Sequence, residues 1–139
     1  MRVVNPLVAL LFSSIIASAQ QVFIMTPLAG SSVSPGKNIT VTIGKPDSLS
    51  ASEEVAVVIA IRSCAWNLCA PQAEALGEIL YSGPFNPRKN FKQPSQDFNI
   101  RIPQSMSSGS ALLTVTHFAL IGAGPRPWME LKNVSVVVN

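Results

Sequence analysis

Side chains able to do nucleophilic, acid–base or metal chemistry are few in this sequence, and they are scattered. His117 is the only histidine. It lies in Leu113-Thr-Val-Thr-His-Phe, in the parity of Leu113 and Val115, which reads as a hydrogen-bonded structural histidine on a strand. Nucleophilic hydrolysis needs a nucleophile, a base and an orienting group, and no Gly-x-Ser-x-Gly turn accompanies His117. A metal site needs further His or thiolate ligands, and none is at hand. Paired carboxylates cleave glycosides without histidine. Here Glu53-Glu54 precede a strand as solvated turn residues, Asp97 opens another strand, and Glu74, Glu78 and Glu130 show no pairing. The sequence therefore predicts no enzyme, no cofactor and no metal.

Cys64 and Cys69 are the two cysteines. Four residues separate them where redox motifs have two, so they read as a structural disulfide. The six-residue loop they close is short, and the chain-entropy account gives it roughly 2 kcal/mol. Its effect is local, on the Ala65-Trp66-Asn67-Leu68 tip.

The elements that must position these residues show a period of two. Val22–Met25 reads as a first strand, ended by Pro27 and the Gly30-Ser-Ser turn. In Asn38–Ile43, Ile39, Val41 and Ile43 alternate with Asn38, Thr40 and Thr42, so one face is buried and one is wet. Glu54–Arg62 is continuously apolar, with large residues at 55, 57, 59 and 61, as suits a central strand. Gly77–Ser82, Asp97–Ile102, Ser110–Leu120 and Leu131–Val138 complete the set. Seven strands predict an all-β, immunoglobulin-like or fibronectin III-like β-sandwich. The cysteines share one loop, so they are not the inter-sheet bridge of antibody domains.

Arg2, the apolar run Leu7–Ala17 and the small-residue site Ala17-Ser-Ala19 read as a secretory signal peptide, residues 1–19, cut before Gln20. The run is too short for a bilayer core of ~30 Å. Residues 20–139 are then one extracellular domain, with nine Lys+Arg against seven Asp+Glu once Arg2 is removed. That balance is too even for a nucleic-acid partner. With 47% hydrophobic and 12% charged residues, the chain has enough apolar material to build a core.

Binding features are better represented. Asn38-Ile-Thr40 and Asn133-Val-Ser135 are N-glycosylation sequons, each with its Asn on the polar side of the alternation. Trp66 in the Cys loop, and Arg126 and Trp128 in Gly122–Trp128, are candidate partner contacts. Gly83–Pro94 holds three prolines, the cations Arg88, Lys89 and Lys92, the aromatics Phe85 and Phe91, and no acid. A loop so stiffened, basic and aromatic suits an acidic protein surface. The plainer alternative is a solvated crossover whose two Phe cap the core.

Gly77-Glu-Ile-Leu-Tyr-Ser-Gly-Pro-Phe-Asn-Pro87, Ile102-Pro-Gln-Ser-Met-Ser-Ser-Gly109, His117-Phe-Ala-Leu-Ile-Gly-Ala-Gly124 and Asn133-Val-Ser-Val-Val-Val138 resemble the fungal necrosis-inducing secreted protein family. The resemblance implies a secreted, non-catalytic effector. It further implies a host-protein partner, a receptor-associated kinase, through which plant immunity is dampened or cell death caused. The alternative is a cell-wall-associated binding module, because fungal wall proteins also carry small immunoglobulin-like domains that open with a segment like Thr26–Val41.

Overall fold

The structure, a computed structural model, describes residues 21–48, 51–64, 69, 75–90 and 92–139. Among them are nine strands and no helix: β1 Phe23–Thr26, β2 Ser31–Val33, β3 Asn38–Gly44, β4 Ser52–Ser63, β5 Glu78–Gly83, β6 Arg88–Asn90, β7 Gln93–Arg101, β8 Gly109–Ile121 and β9 Arg126–Val138. They form a four-stranded sheet ordered β1-β3-β7-β6 and a five-stranded sheet ordered β2-β9-β8-β4-β5. That is the A-B-E-D and A′-G-F-C-C′ arrangement of immunoglobulin-type sandwiches. The expected sandwich is present, with two strands more than the alternation predicts. Both extra strands, β2 and β6, are three residues long, too short to display a period.

Alternating side chains from the two sheets meet in the middle. Val41, Ile43, Phe98 and Ile100 come from the four-stranded sheet, and Val57, Ile59, Leu113 and Val115 from the five-stranded one. Full burial of each contributes about 1.5–3 kcal/mol relative to exposure. A second cluster, around Ile61, Ile102, Val136 and Val138, fills the far end. The chain leaves the first sheet after β1, and β2 then pairs in parallel with the end of β9, Ser31 opposite Val136.

The alternation fails at one place that matters. Within β4 the register to β8 runs from Ser63↔Ala111 to Ala56↔Phe118 and then slips to Glu54↔Ala119. This β-bulge puts one extra residue on β4 and reverses the facing of everything before it. Val55, expected inward with Val57, Ile59 and Ile61, is therefore 49% exposed. Glu54 turns inward in its place.

Phe85 is likewise a correction. Offered by the sequence as a partner contact or, in the plainer alternative, as a cap on the core, it is fully buried against Phe98 and His117, as that alternative has it. Two residues past β5 the chain turns inward, and Phe85 packs into the core between the sheets.

Candidate functional site

One end of the sandwich gathers most of the polar chemistry of the described residues. The start of β4, the end of β3, the segment before β6 and the β8–β9 hairpin meet there. Gly122, at a φ of 94°, opens the hairpin turn, a backbone state that glycine adopts without strain. Gly122 N–H also donates to the Ala51 carbonyl, tying the hairpin to the start of β4.

Beneath this end lies an ionic cluster. His117 on β8 stands opposite Glu130 on β9, and the bulge brings Glu54 to its other side. His117 Nδ1 lies 3.0 Å from Glu130 Oε1, and Nε2 lies 2.5 Å from Glu54 Oε2. The histidine is 1% exposed and its two carboxylate partners 7–10%. Lys45 Nζ donates to Glu54 Oε1 and, at 2.5 Å, to Ser52 Oγ. The Val22 N–H donates to Glu130 Oε1 at 2.8 Å, and Lys132 Nζ lies 3.3 Å from Glu130 Oε2. Three strands, the segment after β3 and the N-terminal segment are thus joined around one imidazole ring.

The electrostatics follow from this packing. Burial lowers the affinity of His117 for a proton, but the bonds to Glu130 and Glu54 outweigh it and raise its pKa above 6.5. Burial pushes the Glu54 carboxyl up, but the bonds from His117 and Lys45 prevail and hold it at about 2. Glu130 moves the same way, its burial outweighed by His117, the Val22 amide and Lys132. Both ring nitrogens face carboxylate oxygens, a geometry that favours the protonated ring and ties β8 to β4 and β9.

These contacts bear out the sequence reading of one residue and revise that of two. His117 is the hydrogen-bonded strand histidine expected. Glu54 is no solvated turn residue, and Glu130 is not unpaired. Local pattern missed them because Glu54 and His117 are 63 positions apart and meet only through strand pairing and the bulge.

Above the cluster, Glu53, Glu54, Asn86, Pro87 and Arg88 rim a shallow depression floored by Phe85. Glu53 also borders a second depression, with Leu120, Ala123 and Pro125 of the hairpin. The two basic segments singled out in sequence are therefore brought to the same end. Arg88, Lys92, Arg126 and Trp128 are all exposed, Trp128 at 42%. Lys89 is also exposed and pairs with Asp47 at 2.8 Å, with both side chains open to solvent. Trp66 and Phe91 lie outside the described residues.

The remaining candidates sit elsewhere. Cys64 and Cys69 are bonded, their Cα atoms 5.0 Å apart, at the opposite end, where Cys64 N–H meets the Ser110 carbonyl. Asn38 is exposed on the outer face of the four-stranded sheet and Asn133 on that of the five-stranded sheet. No group of His, Cys, Asp and Glu able to hold a metal occurs among the described residues. Among the described residues there is no helix long and apolar enough to cross a membrane.

No curated protein matches the chain. The model of the Nis1 family, which corresponds to the necrosis-inducing secreted proteins that the sequence motifs resemble, matches residues 17–137, and the chain belongs to that family.

Proposed function

We propose that this is a secreted effector that binds a host protein without catalysis and thereby modulates plant immunity or cell death. Membership of the Nis1 family is the observation that carries the reading. Residues 1–19 act as the export signal and residues 20–139 as the mature domain. The family resemblance makes a receptor-associated kinase the partner class.

The contact surface in this reading is the basic end of the sandwich. Arg88 and Lys92 project from the β6–β7 hairpin and Arg126 and Trp128 from the start of β9, and Lys89 joins them when its exposed pair with Asp47 opens. Such an exposed pair contributes at most about 1 kcal/mol, so a partner carboxylate can displace Asp47 at little cost. Rim cations of this kind steer association more than they add final affinity.

The test is binding of the mature protein to the kinase domain of a receptor-associated kinase over a range of salt. A variant carrying Arg88→Ala, Lys89→Ala and Lys92→Ala is expected to fold normally, to associate more slowly at low salt and to lose part of the salt dependence. Equal affinity and equal salt dependence in that variant would move the partner surface elsewhere.

A further inference from the structure

The two outer faces of the sandwich differ in kind. On the four-stranded sheet the outward side chains are polar. Thr26 donates to Thr42, and Thr42 to Asp97 at 2.7 Å, while Asn38 stands opposite Arg101 and Thr40 opposite Asn99. On the five-stranded sheet they are largely apolar. Register puts Ala56, Phe118 and Met129 in one row, Val58, Thr116 and Leu131 in the next, and Ile79, Ala60, Thr114 and Asn133 in a third. Ile79 is 61% and Met129 57% exposed. A two-layer sandwich covers only the inner faces of its sheets, and on this outer face the small β4 and β8 side chains Ala60, Thr114 and Thr116 are buried among their neighbours while the apolar Ile79, Phe118 and Met129 stay exposed. It is unfinished as a polar surface too, since the buried Thr116 hydroxyl has no hydrogen-bond partner there.

Asn133 stands within this face. Leu131 and Met129 follow it along β9 at about 7 and 14 Å, using ~3.4 Å per residue. Ala60 and Ile79 lie two and three strands away, about 10 and 14 Å at ~4.8 Å per strand. We infer that Asn133 carries an N-linked glycan whose sugars extend over Leu131 and Val58 toward Phe118, Met129 and Ile79, and that this glycan shields the apolar side chains that the five-stranded sheet leaves exposed.

The inference rests on the secretory reading above, because the transfer needs a lipid-diphosphate-linked oligosaccharide as donor. In that step a bond forms between Asn133 Nδ2 and C1 of the first N-acetylglucosamine. The bond from C1 to the diphosphate oxygen breaks, and the lipid diphosphate leaves as the amide gives up one proton. The fold accommodates the product. Asn133 Oδ1 accepts from the Thr114 hydroxyl at 2.7 Å, and the side chain is exposed. A glycosylated amide keeps its carbonyl oxygen, so that bond survives. The apolar faces of pyranose rings then have aliphatic and aromatic surface to rest on. Asn38, among threonines and Arg101, offers a glycan no such surface, which makes it the internal control.

The full chain is expressed in a fungal secretory host, and the medium is analysed by peptide mass spectrometry and sedimentation. Ser135→Ala removes the sequon while keeping Asn133 and its bond to Thr114. Asn133 is expected to be occupied in the secreted protein. Ser135→Ala is expected to bind a hydrophobic-surface dye and to lose its monomer to self-association, while Asn38→Gln stays monomeric and dye-free. Should Ser135→Ala fail to be secreted, trimming the folded wild-type protein with an endoglycosidase gives the same comparison. Secreted protein with bare Asn133, or trimmed protein that neither binds dye nor associates, overturns the inference alone. Protein retained in the cell without a glycan at either sequon overturns the secretory reading with it.

Discussion

Glu130 faces His117 across the β8–β9 ladder, and its Oε1 accepts from both the imidazole and the Val22 amide. The carboxylate thereby couples the two longest strands to the segment just before β1. Glu54 holds the ring from the other side, so loss of any one member leaves a buried charge without its partner.

His117→Ala is accordingly expected to cost about 3–5 kcal/mol, the range for breaking a buried pair by removing one side. Domains of this size have roughly 5–15 kcal/mol in total, so the variant should be marginal. Urea unfolding checks it. A cost under about 1 kcal/mol would mean that the cluster is not cohesive.

The same cluster sets a pH profile. The depressed carboxyls of Glu54 and Glu130 stabilise the fold above their ordinary pKa of 4.5, and that stability is lost as pH falls, for Glu54 through about 2. The raised pKa of His117 works in the opposite sense. Its contribution is complete below 6.5 and is lost as pH rises through the folded-state value. Stability should therefore be greatest between pH 4.5 and 6.5 and decline on both sides. Denaturation midpoints across pH measure this. A midpoint that does not fall above pH 6.5 would contradict the charged, doubly bonded imidazole.

The bulge predicts a contrast between neighbours that strict alternation would treat alike. Val55→Thr, at an exposed position, should change stability by no more than about 0.5 kcal/mol. Val57→Ala, in the core, should cost roughly 2 kcal/mol. Equal effects in thermal melts would place Val55 inward after all.

Phe85 and Arg88 make a similar pair in the segment before β6. Phe85→Ala should cost about 3–5 kcal/mol by opening a cavity against Phe98 and His117. Arg88→Ala should leave the melt unchanged and act only on association.

The disulfide is checked by mass. The secreted protein should gain two hydrogens on reduction, and Cys64→Ser should still unfold cooperatively, because so short a loop contributes only about 2 kcal/mol.

What the sequence alone determined is what local chemistry encodes. Ile39, Val41 and Ile43 alternate with Asn38, Thr40 and Thr42, and that fixes a half-buried strand whatever its neighbours. Two cysteines five positions apart suffice to bring their sulfurs together, and the residue pattern identifies the Nis1 family. The tertiary structure decided which strands pair, and with that, which polar residues meet. Glu54 read as solvent-facing because parity was counted along β4 alone, and one extra residue at Val55 reverses parity without altering composition. Phe85 kept two readings, partner contact and cap of the core, because nothing nearby in sequence reveals the space that it fills. Both depend on contacts between segments tens of residues apart, and a periodic local pattern carries no information about register between them.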